Sequence, residues 1–346
     1  MPKAQTYKFC FGPWNLSEGQ DPYGPPTRPA QSFDWKLEQL KKLGFDAMMF
    51  HDDDAVPDID SKTDTQLKAE ARALKQKLDD AGIAAEIVAP RLWFDPRTID
   101  GAYTSNDPKC RQYAIERSLR CIDVANYLDC DLIVLWLARE GSYIRESKNA
   151  RKCVDYLVEA INRMLAHDPK IRIAIEPKPN EPMDLAYIPT IGHALALANL
   201  TSDPKRVGCL IETAHALLAG LDPADEIDFA CAFGKLWSLH LNDQNGLKFD
   251  QDKPFGSANL RVAFNQVRAL ERNGYGRHGE YVAFDVHPFR TTKVEHWTLH
   301  LENSRRTFLR LVEKVRTFPE AEAQKLIKDR NYAALDQLVL EHLMGK

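Results

Sequence analysis

The sequence alternates between short apolar runs and longer amphipathic segments, and this alternation limits the possible folds more than any other feature. Eight apolar runs occur, at residues 7–11, 47–50, 84–88, 132–135, 171–175, 207–211, 236–239 and 281–284. They lack polar–apolar alternation, which is typical of strands buried on both faces of a parallel sheet. Segments with helical periodicity follow the runs, among them 64–81 and 293–315. Eight βα units in succession predict an α/β protein, a closed (β/α)8 TIM barrel.

Composition excludes several classes of function. The chain has 346 residues, of which 44% are hydrophobic, so it can bury a large core. A net charge of −4 and a pI near 6.2 argue against a nucleic-acid partner, because phosphate binding needs a basic face. No apolar run approaches the roughly 18 residues of a membrane span. The seven cysteines form no CxxC pair, and we expect reduced core residues in a cytoplasmic protein.

Acidic and imidazole side chains follow four consecutive predicted strands. They are Glu176, Glu212, His240 and Asp285. In a parallel barrel the carboxyl ends of the strands surround one mouth, so these groups converge on one part of it. Four oxygen and nitrogen ligands, completed by water, are suited to one divalent cation. The sequence therefore predicts a metal site at the carboxyl end of the barrel.

A second cation site is predicted beside the first. Glu212 and His215 lie at i and i+3, which puts both side chains on one side of a helical turn. Asp250 and Asp252 lie two apart in the polar segment 240–256, where an extended chain can aim both carboxylates at one point. Each pair by itself is more typical of an acidic turn or a helix cap. Together they fit one site that shares Glu212 with the first, and two ions can clamp two substrate oxygens.

Tryptophans also occur at predicted strand ends, namely Trp14, Trp93 and Trp136. Any one of them is more typical of the core. Three at one barrel mouth indicate an apolar wall that stacks on a sugar ring and excludes water.

Three polar residues complete the predicted site. His51 followed by Asp54 is compatible with a helix-capping pair, but a histidine oriented by a carboxylate is also a general acid–base group near neutral pH. Lys178 could be interpreted as an exposed surface lysine. At a strand end beside Glu176 it can donate a hydrogen bond to a substrate oxygen.

Longer motifs carry a family resemblance. They are Phe-Gly-Pro-Trp at 11–14, Asp-Pro-Tyr-Gly at 21–24, Phe-His-Asp-Asp-Asp at 50–54, Trp136 with Arg-Glu-Gly at 139–141, Ile-Glu-Pro-Lys-Pro-Asn-Glu-Pro at 175–182, Ala-Gly-Leu at 219–221 and Lys-Phe-Asp-Gln-Asp at 248–252. Through these motifs, in order and nearly to residue 316, the chain resembles the xylose (glucose) isomerase family.

The resemblance implies an aldose–ketose isomerase that works by a 1,2-hydride shift with two divalent metal ions, Mg²⁺, Mn²⁺ or Co²⁺. It implies that Glu176, Glu212 and Asp285 bind a structural metal. The catalytic metal would be bound by Glu212, His215, Asp250 and Asp252. His51, oriented by Asp54, would assist ring opening, and Lys178 would bind the carbonyl oxygen. The wall of Trp14, Trp93 and Trp136 would hold the sugar, with Trp93 in place of the family's usual phenylalanine.

Two side chains depart from the family pattern. His240 stands where the family has a fourth carboxylate for the structural metal. Imidazole in place of carboxylate shifts the metal preference from Mg²⁺ towards Mn²⁺, Co²⁺ or Zn²⁺. A histidine at this place resembles rhamnose isomerases and ketose 3-epimerases. His287 stands where the family has a lysine.

The resemblance also implies how the chain is divided. We expect residues 1–316 to form the catalytic barrel and 317–346 to form a short C-terminal helical arm for subunit contact. This arm is a few tens of residues shorter than in the family. Tyr23 matches an aromatic residue that reaches into a neighbouring subunit, so the resemblance implies a homo-oligomer, a dimer or a tetramer.

Other functions remain open on this barrel. A ketose epimerase or a sugar lyase would use proton abstraction by Glu176 and a second base. A non-catalytic sugar- and metal-binding homologue would bind without turnover. A nuclease would need a basic groove and more histidines at strand ends than the sequence has.

Overall fold

The computed structural model describes residues 6–246 and 249–345, and within them a closed parallel barrel. The strands are β1 Lys8–Phe11, β2 Ala47–His51, β3 Ala84–Ala89, β4 Leu132–Trp136, β5 Gly141–Ser142, β6 Arg172–Glu176, β7 Leu185–Ala186, β8 Val207–Glu212, β9 Leu236–Leu241 and β10 Tyr281–Phe284. Around the barrel their order is β1, β10, β9, β8, β6, β4, β3, β2. The remaining two, β5 and β7, form a short antiparallel ribbon outside it. The predicted eight-stranded barrel is confirmed.

Helices follow the strands along the chain, and three of them come after the last strand. They are α1 Phe33–Lys42, α2 Asp52–Ala55, α3 Asp64–Ala81, α4 Pro108–Tyr127, α5 Ala150–His167, α6 Ile191–Asn199, α7 Thr213–Leu218, α8 Pro223–Ala232, α9 Leu260–Asn273, α10 Leu299–Arg316, α11 Glu320–Lys328 and α12 Tyr332–Met344. Short polar residues at the helix ends determine where they begin and stop. At α3 the Thr63 hydroxyl accepts from the Gln66 amide, and Gly82 ends the helix at φ 70°.

Aromatic packing joins the strands to the outer helices. Phe9 of β1 stacks on Phe284 of β10 with ring centroids 6.1 Å apart. Phe308 of α10 meets the edge of Phe9 at 5.8 Å. All three rings are almost completely buried, and each such side chain stabilises the fold by roughly 1.5–3 kcal/mol. This layer closes the barrel where its first and last strands pair.

The C-terminal segment differs in detail from the sequence prediction. The helix expected over 293–315 begins at Leu299, because Val294–His296 forms a separate 3-10 turn. Beyond it, α11 and α12 fold back on the same barrel. The His342 ring lies 5.3 Å from Phe318 and 6.3 Å from Phe264 of α9, and Nε2 of His342 lies 2.7 Å from the Lys314 carbonyl oxygen. The arm therefore packs against its own chain.

Two expectations from composition can be compared with the structure. The seven cysteines all lie within the described residues and form no disulfide there, and all but Cys231 are buried, as predicted for core residues. Across residues 6–246 and 249–345, none of the helices has the length and apolar character that crossing a bilayer requires.

Candidate metal centre

The barrel register brings the predicted acidic and imidazole residues to one mouth. Glu176 ends β6, Glu212 ends β8, and His240 lies near the end of β9. Glu212 and His240 are direct partners across the β8–β9 pair, and His240 is level with Ala283 of β10, two residues before Asp285. Parallel strands in register place their carboxyl ends at the same height, so residues far apart in sequence meet here.

Glu212, His240 and Asp285 form a first cluster. One potential ligand atom from each lies within 4.8 Å of the others. The nitrogen that His240 directs into the cluster is Nδ1, at 3.7 Å from Asp285 Oδ2 and 3.9 Å from Glu212 Oε2. Its other nitrogen, Nε2, lies 3.0 Å from the sulfur of Met49. Burial lowers the pKa of His240, which keeps the ring neutral and its lone pair available to a cation.

Glu212, Asp250 and Asp252 form a second cluster, also within 4.8 Å. Nε2 of His215 lies 2.9 Å from Asp250 Oδ2 and 3.2 Å from Glu212 Oε1, so the predicted second set comes together. Glu176 approaches from the other side, with Oε1 3.5 Å from His215 Nδ1. In this arrangement Glu176 groups with Glu212 and His215, and Glu212 is common to both clusters.

Several buried carboxylates without enough counter-charge raise one another's pKa. Burial raises the pKa of Glu176 to about 8, and the charge of Asp285 adds to the rise. Burial and the charge of Asp250 raise the pKa of Asp252 to about 8. Burial also raises the pKa of Glu212 well above its usual range. Without a cation, such a site keeps protons on its carboxyl groups. A bound divalent cation would neutralise the charge of the carboxylates in place of these protons.

Unpaired atoms support the same conclusion. Within the described part of the chain, Nδ1 of His215, Nδ1 of His240 and Oδ1 of Asp250 are buried without a hydrogen-bond partner. Leaving such atoms unpaired is costly unless something else fills their place. Carboxylate oxygens and neutral imidazole nitrogens are the ligands that Mg²⁺, Mn²⁺, Co²⁺ and Zn²⁺ accept. The residues present therefore fit divalent cations.

Asn242 holds two of these carboxylates in place, and sequence reasoning did not find it. Its Nδ2 donates to Glu212 Oε1 at 2.8 Å and to Asp252 Oδ1 at 3.1 Å. Its Oδ1 accepts from the Ala214 amide at 2.7 Å, which fixes the orientation of the side-chain amide. The only available signal was its place two residues after His240, on the polar loop that follows β9.

The three tryptophans line the cavity together with His51. Ring centroids are 4.2 Å apart for Trp14 and His51, 5.1 Å for His51 and Trp93, and 4.4 Å for Trp93 and Trp136. Trp14 also donates from Nε1 to Asp285 Oδ1 at 2.9 Å, so it orients a carboxylate of the first cluster. The predicted wall is thus one continuous row of rings beside the acidic clusters.

His51 contacts Asp54 as expected, and it has a second neighbour. Nδ1 of His51 lies 2.9 Å from Asp54 Oδ2. The guanidinium of Arg91, which sequence reasoning did not single out, contacts the same Nδ1 and lies 2.9 Å from Asp54 Oδ2. Burial opposes the charge on Asp54, but His51 and Arg91 together hold the pKa of that carboxyl well below its usual range.

Lys178 is buried and paired, which excludes the surface alternative. Its Nζ lies 3.0 Å from Asp250 Oδ2 and 3.3 Å from Glu181 Oε2. The same atom lies 5.0 Å from the centre of the Trp136 ring. Burial disfavours its charge, but the surrounding carboxylates raise the pKa of Lys178 further, so the group stays an ammonium donor facing the cavity.

His287 completes the acidic side of the site. Its Nδ1 lies 2.9 Å from Asp252 Oδ2, and this contact outweighs burial and raises the pKa of His287 to about 9. The protonated His287 side chain offsets the negative charge of Asp252, as a lysine at the same position would. Lys248 of the Lys-Phe-Asp-Gln-Asp motif lies outside the described residues.

These groups line one cavity of about 460 Å³. It is lined by the row of rings on one side and by the two clusters with Lys178 and His287 on the other. The fold and the site thus define a class: a (β/α)8 barrel whose carboxyl-end mouth gathers carboxylates and imidazoles suited to divalent cations around a cavity of small-molecule size.

Comparison with known proteins gives the family. The family model described as "Xylose isomerase-like TIM barrel" matches residues 37–280, and the chain belongs to this family. It is 36% identical over 327 residues to a xylose isomerase of Thermus thermophilus, an alignment that covers 92% of this chain and 82% of that protein.

Solved structures share the fold at lower identity. A crystal structure of D-psicose 3-epimerase with D-fructose has a TM-score of 0.64 at 15% identity, with 88% of this chain and 99% of that chain covered. A structure of IolI protein with a bound zinc atom has a TM-score of 0.62 at 15% identity, with 89% and 99% covered. The relatives that share the barrel include sugar isomerases and epimerases.

Proposed function

We propose that this protein is a metal-dependent aldose–ketose isomerase that acts on an unphosphorylated sugar by a 1,2-hydride shift. The observation that carries the proposal is the position of Glu212, which two ligand clusters share beside a row of aromatic rings. The 36% identity to a xylose isomerase supports the same reaction class.

The charge of the cavity favours bound divalent cations. Its lining has six carboxylates, on Glu176, Glu181, Glu212, Asp250, Asp252 and Asp285. Arg91, Lys178 and His287, with its pKa of about 9, are cationic side chains of this lining, so the carboxylates outnumber them by three. Divalent cations would offset this excess of negative charge, and the cavity would then suit an unphosphorylated sugar.

The proposed ligands combine the observed clusters with the family resemblance. Glu212, His240 and Asp285 would hold one ion, and Glu212, His215, Asp250 and Asp252 would hold the other. Glu176, which groups with Glu212 and His215 in the structure, is assigned to the first ion on the family resemblance. When bound, such ions polarise the oxygens of the sugar and increase the acidity of its hydroxyl groups. The protein contributes the fixed positions of these side chains, which Asn242 and Trp14 orient through the hydrogen bonds described above.

The other residues would position the sugar and exclude water. Lys178 faces the cavity as an ammonium and would donate to the oxygen on C1. In the reaction the hydride on C2 moves to C1 with its electron pair, and the proton of the 2-hydroxyl passes to the C1 oxygen. Trp14, Trp93 and Trp136 would cover the apolar face of the sugar, so that hydrogen moves without exchange with water. His51 would assist opening of the sugar ring from the same wall.

An isotope experiment tests the hydride shift. We expect conversion of an aldopentose or aldohexose to its ketose in ²H₂O without deuterium at C1 or C2, measured by NMR of the product with Mg²⁺, Mn²⁺ or Co²⁺. Solvent deuterium on carbon would refute the hydride shift and favour the alternative function, a ketose epimerase or lyase that abstracts a proton. Sugar binding without any product would indicate a non-catalytic homologue.

Variants connect the activity to the clusters. Glu212→Gln should lose bound metal and turnover together, since this carboxylate serves both clusters. Glu116→Gln is the matched control, because Glu116 is exposed on α4 and, among the described residues, its side chain accepts a hydrogen bond from Gln112 alone. Retained metal in Glu212→Gln, counted by elemental analysis, would contradict the ligand assignment.

His240 is proposed to set the choice of metal. A neutral imidazole contributes no negative charge, so the positive charge of the ion at the first cluster is less neutralised than it would be by a carboxylate. We expect His240→Asp to shift the metal that supports the highest turnover towards Mg²⁺ while some activity remains. An identical metal profile in both proteins would show that His240 is not a ligand.

We also propose that the protein is a homo-oligomer in which Tyr23 contacts a neighbouring copy. The Tyr23 side chain is 95% exposed at the tip of a tight turn between Asp21 and Gly24. A single large exposed aromatic ring at a turn is a suitable interface anchor. Tyr23→Ser should lower the molecular mass measured by light scattering. An unchanged mass would exclude this contact as an essential one.

A further inference from the structure

Arg91 places a guanidinium against the histidine of the proposed site. It follows β3 and precedes a 3-10 turn at Leu92–Phe94. Its backbone amide donates to Asp52 Oδ1 at 3.1 Å, which anchors this loop to the residue after His51. Its side chain is about one quarter exposed and lines the cavity.

The guanidinium is held from two sides. Nη1 lies 3.2 Å from Asp53 Oδ1, and Nη2 lies 2.9 Å from Asp54 Oδ2. These two carboxylates compensate its charge, so Arg91 is not available as a binding group for an anionic substrate. The same Nη2 contacts Nδ1 of His51. Arg91 therefore acts on the cavity through His51.

Nδ1 of His51 faces two neighbours with opposite requirements. A carboxylate only accepts hydrogen bonds, so Asp54 favours a hydrogen on Nδ1. A guanidinium only donates and stays protonated, so Arg91 favours a lone pair on Nδ1. A neutral imidazole carries one hydrogen on its two nitrogens and can satisfy only one of these neighbours.

The hydrogen bonds of Asp54 decide whether Nδ1 of His51 carries a hydrogen or a lone pair. Its Oδ2 accepts from Arg91 Nη2 and from the backbone amide of His51, at 2.9 and 3.2 Å, without any hydrogen on Nδ1. The carboxylate therefore keeps two donors when Nδ1 has a lone pair. Arg91, in contrast, would direct an N–H against an N–H if Nδ1 carried the hydrogen.

We propose that Arg91 is a positioning residue that selects the tautomer of His51, placing the hydrogen of the neutral ring on Nε2. This inference rests on the proposed function for its consequence. Nδ1 is engaged by Asp54 and Arg91, which leaves Nε2 as the ring nitrogen available to the cavity. As an N–H group, Nε2 donates a hydrogen bond and matches a sugar atom that only accepts one. The ether oxygen of a closed sugar ring is such an atom, whereas a hydroxyl group both donates and accepts.

Nitrogen NMR tests this assignment directly. The metal-free protein, labelled with ¹⁵N only in its histidines, would be studied by long-range ¹H–¹⁵N correlation, with His51→Gln identifying the His51 signals. We expect a lone-pair chemical shift for Nδ1 and an N–H shift for Nε2 in the unmodified protein. In Arg91→Met, which is similar in length and has no donor, we expect the two shifts to exchange as Nδ1 turns to Asp54.

Controls separate this role from a general effect on structure. Arg97→Met removes a nearby arginine that pairs with Asp60 and Asp95 and should leave the His51 shifts unchanged. Asp54→Asn should also leave the hydrogen on Nε2, because Arg91 remains. A hydrogen on Nδ1 of the unmodified protein, or unchanged shifts in a folded Arg91→Met protein, would overturn the inference. If Arg91→Met does not fold, the spectrum of the unmodified protein still decides. Neither sugar nor metal is needed, so failure of the isomerase proposal would leave this result interpretable.

Discussion

Glu86 is a buried carboxyl group in the interior of the barrel, and its environment predicts a measurable dependence of stability on pH. It lies on β3 and is 8% exposed. Its Oε1 accepts from the Ser238 hydroxyl at 2.7 Å, while Oε2 has no partner within the described residues. Burial raises the pKa of Glu86 from its usual 4.5 to about 7, and the Ser238 hydrogen bond offsets only part of the rise.

The direction of the effect follows from proton binding. Because the pKa of Glu86 is higher in the folded state, that state binds more protons than the unfolded chain between about pH 4.5 and 7. The free energy of unfolding therefore decreases as pH rises through this window and stays lower above it. A shift of about 2.5 pH units at 1.36 kcal/mol per unit corresponds to about 3 kcal/mol. Most of it, about 2.5 kcal/mol, falls between pH 5 and pH 8.

The assay compares Glu86→Gln with the unmodified protein by urea denaturation at pH 5 and pH 8, with a chelator present. Glutamine does not ionise. The free energy of unfolding of Glu86→Gln, relative to that of the unmodified protein, should therefore increase by about 2.5 kcal/mol from pH 5 to pH 8. Any constant effect of the amide cancels in this difference. Glu116→Gln, at an exposed position on α4, should show no such change. An equal difference at both pH values would refute the reasoning that burial governs Glu86.

Three further predictions concern packing, charge and metal. Gly208→Ala should lower the free energy of unfolding by about 1–3 kcal/mol in urea denaturation, because its Cβ would lie 2.6 Å from the Trp237 ring. Gly192→Ala, whose Cβ would come no closer than 3.7 Å to a neighbour, should be neutral or slightly stabilising, and equal losses in both would contradict this argument. Arg117→Met should destabilise by about 3–5 kcal/mol in the same assay, since it leaves the fully buried Asp52 carboxylate without the cation now 2.8 Å from its Oδ1. Mn²⁺ at 100 times its dissociation constant should raise the free energy of unfolding of chelator-treated protein by about 2.7 kcal/mol, measured by thermal denaturation, and no increase would argue against the metal centre.

Much of the barrel was predictable from local patterns. The run at 171–175 becomes β6 Arg172–Glu176, and the amphipathic segment at 64–81 becomes α3 with the same bounds. Strand and helix periodicities are properties of neighbouring residues, so they can be read without tertiary information. The C-terminal arm was less predictable, because a helix docked on its own barrel has the same periodicity as one docked on a neighbour.

Within the candidate site, only the residues with a characteristic spacing were predictable from the sequence. Glu212, His215, Asp250 and Asp252 have spacings that indicate a cation site, and the structure brings their side chains together. Their role as metal ligands remains a prediction. Arg91 is a single arginine in a loop, and a residue of this kind carries no spacing signal.

By itself the sequence determined the alternation of strands and helices, and with it which side chains stand at the ends of strands. Closure of the barrel decided which of them meet. It set Glu212 beside His240, directed His240 Nδ1 rather than Nε2 into the cluster, and brought Arg91 against His51. The physical reason is that periodicity depends on neighbours along the chain, whereas contacts across the mouth depend on register and loop paths that the whole packed core fixes together.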